Sequence, residues 1–318
     1  MNRFILLPGI LFAALSATLS VVSLSAGGGQ ADSDGRAPEA SQSVLETPGS
    51  PYIESEPIEV DAERLYGIAV AADDRIFVSA DSSILIFGRG GEPLGRLELE
   101  EPARCLAVGP SGLLYLGMID HLQVYSDAGR REAIWAGLGS EALITSIFAA
   151  EDEVFVADAG NRMVLRFDRG GKLLDYIHGD GTVGPELIIP SPYFDLLVAP
   201  RGTLWVTNPG CHRVHSYTTG GEYLGSWGRS APDIDAFCGC CNPTHIALTP
   251  EGLFLTSEKG VPRVKVYDST GAFQAVVAGP GLFREGTVGL DLAADSRGRV
   301  IILDPKTSTV RIFIRERL

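Results

Sequence analysis

The stretch Val156–Ile177, VADAGNRMVLRFDRGGKLLDYI, decides the fold. It holds the end of one apolar run, a small polar loop, a second apolar run that ends in an aromatic residue, a Gly-Gly turn and a further run. Short runs rich in β-branched and aromatic residues, separated by tight turns, are typical of β-strands. A four-strand unit of this kind that recurs along a chain predicts the blades of a β-propeller.

The same unit recurs six times, at intervals of about 40 to 50 residues, which is the spacing of propeller blades. We therefore predict an all-β, six-bladed β-propeller over residues 52–318. The predicted blades are 65–100, 103–138, 144–180, 193–229, 244–279 and 288–315. The sixth unit has three strands, and a missing fourth strand leaves an open edge. The free strand candidate, residues 52–60 (YIESEPIEV), is predicted to close the ring beside residues 310–314.

Two of these stretches resemble a known repeat. Residues 156–177 and residues 206–228, VTNPGCHRVHSYTTGGEYLGSWG, look like NHL repeats, and the resemblance extends over roughly residues 60–315. It implies a six-bladed propeller, distantly similar to peptidylglycine amidating lyase and to gluconolactonase-type propellers. It implies no single activity, because one fold carries many functions.

The N-terminal segment predicts export. Residues 1–31 contain an apolar stretch at 4–24, one cation at Arg3 and no acid, which is typical of a signal peptide or an N-terminal membrane anchor. Residues 32–51 are small, polar and acidic, a composition typical of a disordered linker. We therefore expect an extracytoplasmic protein, periplasmic or secreted, with a candidate membrane tether at residues 4–24.

The net charge of the chain limits the classes of partner that it can bind. The formal net charge is −14, which repels the phosphate backbone of nucleic acids. No Gly-rich phosphate loop, GxSxG or HExxH motif occurs. We expect a monomeric propeller whose channel face binds a protein or a carbohydrate-like ligand through its loops.

Four of the five cysteines are predicted to lie together on one face. Cys211 is in the loop between the second and third strands of the fourth unit, and Cys238, Cys240 and Cys241 are in the connector to the fifth. In an oxidising compartment structural disulfides are the first interpretation. Pairing Cys240 with Cys241, or Cys238 with Cys240, needs a strained small ring. The remaining connectivity joins Cys211 to Cys240 and Cys238 to Cys241.

Two other interpretations of the cysteine-rich site remain open. Cys-x-x-Cys spacing also suits metal ligands and redox thiols, so a metal site from these four cysteines with His212 or His245 is an alternative. The resemblance to the amidating lyase favours the disulfide interpretation, because that enzyme has a disulfide-forming loop cysteine near its active face and Cys211 lies in the matching loop.

A second candidate site comes from aligning the first strands of the units. The position before each apolar run is predicted to face the mouth of the central channel; these positions are Gly67, Cys105, Ser146, Asp195, His245 and Gly289. Cys105, Asp195 and His245 are candidate metal ligands. The propeller lyases and gluconolactonase-type propellers that the chain resembles hold a catalytic metal at the channel, although their ligand sets are not reproduced here.

Three functions follow from these sites. The first is an exported binding or scaffold module with a cysteine-rich loop on the channel face. The second is a metal-dependent propeller enzyme, a lyase or lactonase, that acts at the channel mouth. The third is a protein with a thiolate-based metal or redox centre. The sequence leaves the cofactor unknown, with a metal ion as the candidate.

Overall fold

The computed structural model describes residues 49–135, 137–179, 181 and 184–316. The predicted signal or anchor segment and the linker up to residue 48 lie outside this part of the chain. No helix within the described ranges is long and apolar enough to cross a membrane.

The described chain forms six antiparallel sheets, which confirms the predicted all-β, six-bladed propeller. Blades one to three each contain four consecutive strands. They are β3 Leu65–Val70, β4 Ile76–Ala80, β5 Ser83–Phe87 and β6 Pro93–Glu98; β7 Cys105–Val108, β8 Leu114–Gly117, β9 Leu122–Tyr125 and β10 Arg131–Trp135; β11 Ile144–Ala149, β12 Glu153–Asp158, β13 Met163–Asp168 and β14 Leu173–His178.

Blades four and five repeat this order. Their strands are β15 Leu196–Val198, β16 Thr203–Asn208, β17 Arg213–Thr218 and β18 Tyr223–Trp227; β19 His245–Leu248, β20 Phe254–Glu258, β21 Arg263–Tyr267 and β22 Phe273–Ala278. Short 3-10 helices occupy Pro209–Cys211 and Pro280–Leu282.

The sixth blade combines both ends of the described chain. Its strands β23 Asp291–Ala294, β24 Val300–Asp304 and β25 Thr309–Arg315 are followed in the sheet by β1 Tyr52–Glu54, and β2 Ile58–Glu59 also pairs with β25. Ile53 lies opposite Ile314, and Ile58 lies opposite Val310. The outer edge of the last three consecutive strands is therefore covered by the N-terminal strands.

Six apolar clusters hold the blades together, one at each interface between neighbouring blades. The inner strands are buried, whereas outer strands such as β6 and β14 are mostly exposed. This arrangement explains the sequence pattern: the first three runs of each unit are apolar because both faces of an inner strand contact another blade.

The glycine that ends the turn between the third and fourth strands allows neighbouring blades to approach closely. A Cβ atom built on Gly171 would lie 2.5 Å from the Trp135 ring of the preceding blade, and φ at Gly171 is +84°. In the same way, a Cβ atom built on Gly271 would lie 2.4 Å from the side chain of Trp227, and φ at Gly271 is +82°. Both the close approach and the positive φ require glycine.

Candidate functional site

The first strands of the six blades line a central channel with a cavity of about 250 Å³. At the start of each of these strands, or within two residues of it, one residue lies near one end of this channel. These ring positions are Gly67, Cys105, Ser146, Asp195, His245 and Asp291. The sixth equivalent position differs from the sequence prediction: it is Asp291 and not Gly289, because β23 begins at Asp291, which lies opposite Leu303. Gly289 itself lines the mouth of the channel, as predicted. Gly289 lies in the preceding segment, with φ +70°.

Two ring-position carboxylates join neighbouring blades. Asp195 accepts hydrogen bonds from its own strand at Leu196 N (2.8 Å) and from the next blade at Ile246 N (2.7 Å). Asp291 does the same with Leu292 N (2.8 Å) and with Ile68 N of blade one (2.9 Å). Each carboxylate thus satisfies a backbone donor across a blade interface.

The channel environment shifts the protonation of these groups. Burial raises the pKa of Asp195 to about 6, the nearby His245 opposes this shift, and the Asp291 charge adds to it. Burial likewise raises the pKa of Asp291 to about 6. The pKa of the Cys105 thiol is raised by burial and by both carboxylates, whereas burial lowers the pKa of His245. At neutral pH this favours a neutral thiol at Cys105 and a neutral imidazole at His245.

The channel opens into a mouth with a cavity of about 480 Å³. Its polar and aromatic lining residues are Tyr66, Arg104, Thr145, Tyr193 and His245. The Arg104 guanidinium lies 5.0 Å from the centre of the Tyr66 ring, and Lys259 Nζ lies 5.2 Å from that of Tyr193. The rings of Tyr193 and His245 meet edge to face at 5.5 Å. The mouth therefore presents two tyrosine rings, each with a cation beside it. Arg104 lines the cavity itself, whereas Lys259 contacts Tyr193 from beyond the lining residues.

The apolar part of the mouth comes from the loops around it. Ile119 and Val288 line the cavity and are each 46 % exposed. Aromatic rings, exposed aliphatic side chains and cations in one concave site are features of ligand-binding pockets. Sequence reasoning found His245 and missed four other residues, because none of them carries a motif of its own. Tyr66 lies within β3, whereas Arg104, Tyr193 and Lys259 lie just outside strands.

The cysteine-rich connector lies against the loop of Cys211. His212 Nε2 lies 2.8 Å from the carbonyl oxygen of Gly239, which links the two segments directly. The predicted disulfides gain no support, because all five cysteines are free thiols in this structure. The Cys238 sulfur instead accepts a hydrogen bond from Arg263 Nη2 at 3.4 Å, and the sulfurs of Cys240 and Cys241 lie 3.3 Å apart.

Neither candidate metal site has the arrangement of a metal centre. Among the described residues, no three histidine, cysteine or carboxylate side chains are grouped so that they could hold a metal ion. At the channel, both oxygens of Asp195 already accept backbone hydrogen bonds. At the connector, the Cys238 sulfur contacts a cation and His212 contacts a carbonyl oxygen. Neither proposed set of metal ligands therefore gains support. The first set is Cys105, Asp195 and His245, and the second is Cys211, Cys238, Cys240 and Cys241 with His212 or His245.

A buried ion cluster, which the sequence analysis missed, holds the connector in place. Glu258, Arg263 and Lys265 are each at most 1 % exposed. Glu258 accepts hydrogen bonds from Arg263 Nε (2.8 Å) and Nη2 (3.0 Å) and lies 2.7 Å from Lys265 Nζ. Both cations also donate to connector carbonyls, Lys265 to Ile234 (3.1 Å) and Ala236 (2.7 Å).

The cluster has two cations for one carboxylate. Burial lowers the pKa of Lys265 to about 8, against the opposing effect of Glu258. The aromatic rings of Phe237 and Tyr267 lie 4.8 Å and 5.2 Å from Lys265 Nζ and provide further favourable contacts. The alternation Arg263-Val-Lys265-Val in β21 was the available sequence signal, since it places both cations on one face of an inner strand.

Comparison with known proteins supports the fold class. Neither a protein-family model nor a curated protein sequence matches the chain. A solved structure of a structural genomics protein from Bacteroides thetaiotaomicron is similar at a TM-score of 0.60 and 15% identity, covering 84% of this chain and 72% of that one.

Two further solved structures are similar to the chain at comparable TM-scores. A catalytically inactive variant of virginiamycin B lyase from Staphylococcus aureus, with quinupristin, has a TM-score of 0.57 and 11% identity, covering 82% of this chain and 99% of that one. The WD40 propeller domain of Doa1 has a TM-score of 0.56 and 14% identity, covering 80% and 79%. At these identities the similarity defines a β-propeller, and the finer NHL assignment remains an interpretation of the sequence.

Proposed function

We propose that this chain is an exported binding propeller that takes up its ligand at the channel mouth. The observation that carries the proposal is the pairing of Tyr66 with Arg104 and of Tyr193 with Lys259 around a cavity of about 480 Å³. Export is supported by the apolar, acid-free segment at residues 4–24. A rigid propeller with loops around one opening is a common scaffold for recognition, and the similar structures include a WD40 domain.

The ligand class follows from the chemistry of the mouth. Tyrosine rings offer flat apolar faces, and the cations beside them bind carboxylate or other anionic groups. The exposed Ile119 and Val288 add an apolar rim. We infer a carbohydrate-like ligand that carries anionic groups, such as an acidic oligosaccharide; a protein ligand is the other outcome of the test.

The test is calorimetric titration of the full chain with an oligogalacturonate and with a neutral galactose oligomer of equal length. We expect the acidic oligomer to bind more tightly, and we expect Arg104→Gln and Tyr193→Ala each to weaken it by about tenfold or more. Arg130→Gln is the matched control, because Arg130 is 78% exposed on a different part of the blade. Equal binding of both oligomers, or unchanged affinity in Arg104→Gln, would argue against this ligand class.

A second candidate function is acid–base catalysis at the same mouth. His245 lies on its lining, and its Nδ1 is 3.3 Å from the hydroxyl oxygens of both Thr244 and Ser257, which orient the ring. Burial lowers the pKa of His245, so the neutral imidazole that a general base requires is favoured at neutral pH. The similar structures include a lyase.

Turnover measurements separate the two functions. If the protein is an enzyme, His245→Gln abolishes conversion of a bound ligand while its affinity changes little. If it is a binding module, ligand recovered after prolonged incubation with the wild-type chain is chemically unchanged. Mass spectrometry of the recovered ligand gives both readings.

A further inference from the structure

Two adjacent cysteines in the connector form a pair with different exposure. Cys240 is exposed, and Cys241 is 6% exposed. Their sulfur atoms lie 3.3 Å apart, so the two thiols are in direct contact. This arrangement suits thiol–disulfide exchange. The solvent-exposed thiol can attack an external disulfide, and the buried thiol beside it can then resolve the mixed disulfide.

The connector is fixed on both sides of this pair. Asn242 is completely buried; its Nδ2 donates to the carbonyl oxygens of Cys238 (2.5 Å) and Lys259 (3.0 Å), and its Oδ1 accepts from Lys259 N (2.9 Å). On the other side, His212 contacts the carbonyl oxygen of Gly239. The backbone that carries the two thiols is thus held without any cross-link.

Cys238 is engaged elsewhere. Its sulfur accepts a hydrogen bond from Arg263, a side chain that is 1% exposed and belongs to the buried ion cluster. The Cys238 backbone N–H donates to Glu258 in the same cluster at 3.2 Å. These contacts direct Cys238 into the blade, away from the pairing with Cys241 that its spacing suggests.

We propose that Cys240 and Cys241 are a redox-active dithiol that exchanges with an external disulfide, either a small molecule or a protein. The Cys240 thiolate attacks one sulfur of the external disulfide, whose S–S bond breaks and releases a first thiolate. The Cys241 thiol then loses its proton, attacks the Cys240 sulfur and displaces the second thiolate. The external disulfide is reduced to two thiols, and the protein loses two hydrogens as it forms a Cys240–Cys241 disulfide.

The strain of a Cys240–Cys241 disulfide is consistent with a bond that forms and is reduced reversibly. Adjacent Cα atoms are about 3.8 Å apart across a trans peptide, whereas disulfides usually span about 4.4–6.8 Å. The small ring is a poor structural cross-link for this reason, and strained disulfides are the more easily reduced ones. Burial raises the pKa of the Cys241 thiol, which fits its role as the second, protected sulfur.

The test uses full-length protein that is reduced, freed of reductant, exposed to oxidised glutathione and then alkylated. Trypsin cleavage after Arg229 and Lys259 releases one peptide, residues 230–259, that contains all three connector cysteines. We expect this peptide to lose two hydrogens and to be alkylated once, at Cys238. Reduced glutathione should restore three alkylatable thiols.

Serine variants assign the two sulfurs. Cys238→Ser should still lose two hydrogens, and Cys241→Ser should retain a glutathionyl group on Cys240. Cys240→Ser changes an exposed side chain and should lose no hydrogens. A wild-type peptide that remains alkylatable three times overturns the proposal. So does oxidation that persists in Cys240→Ser, or that disappears in Cys238→Ser, since either result assigns the disulfide to Cys238.

Discussion

Asp291 of the sixth blade accepts a hydrogen bond from the backbone N–H of Ile68 in the first blade, at 2.9 Å. This bond crosses the interface where the ring closes, and Asp195 makes the equivalent contact with Ile246 between blades four and five. Both carboxyls have a pKa raised to about 6 by burial. The residues that join the blades therefore also make the stability of the ring depend on pH.

The first prediction concerns Asp291→Asn. A carboxyl whose pKa rises from 3.8 to about 6 on folding binds more protons in the folded state, so its contribution to stability falls as pH rises from about 4 to about 6. The amide does not titrate. Relative to the variant, the wild-type free energy of unfolding should decrease by on the order of 1–3 kcal/mol across this window. Urea unfolding at pH 4, 5 and 6 measures the difference, and parallel pH profiles would contradict the prediction.

The second prediction concerns His215, whose contribution to the free energy of unfolding changes with pH in the opposite direction, over an overlapping pH range. It is 1% exposed in β17, and burial lowers its pKa from 6.5 to about 4. Between about pH 4 and pH 6.5 the unfolded chain therefore binds more protons at His215 than the folded chain does. The stability that the neutral His215 contributes is lost as the pH falls from about 6.5 towards 4. His215→Gln should remove on the order of 2 kcal/mol of that acid sensitivity. His178→Gln, at an exposed histidine, is the control and should follow the wild-type profile in thermal melts.

The ring architecture was predictable because every unit repeats the same local pattern, whereas its exact register was not. The apolar Leu290 directed the alignment to Gly289, although the Asp-Leu pairs at Asp195 and Asp291 are the equivalent positions. The burial of Lys265 could not be predicted from the sequence either, because a lysine in a strand is usually exposed. The contact between Cys240 and Cys241 depends on the conformation of the connector, which no repeat specifies.

The buried ion cluster predicts which of two substitutions destabilises the fold more. Glu258→Gln leaves Arg263 and Lys265 without their shared carboxylate and should destabilise the chain by about 3–5 kcal/mol. Lys265→Met leaves the Glu258–Arg263 pair intact and mainly removes a donor from two connector carbonyls, which should cost about 1–3 kcal/mol. The double variant should be less destabilised than the sum of the two. Denaturant titrations test this order, and a larger effect of Lys265→Met would refute it.

The last prediction concerns the strand that covers the edge of blade six. Arg311 of β25 donates to Glu54 of β1 through Nε (2.6 Å) and Nη2 (2.7 Å), and its Nη1 donates to the carbonyl oxygen of Leu282 at 2.8 Å. Glu54→Ala should lower the free energy of unfolding by about 2–3 kcal/mol, because a largely buried guanidinium loses its bidentate partner. The exposed Glu56, two residues along the chain, supplies the control substitution Glu56→Ala, which should change little. If both substitutions shift the denaturant midpoint equally, the ion pair does not stabilise the closure, and the β1–β25 pairing depends on backbone hydrogen bonds and apolar contacts alone.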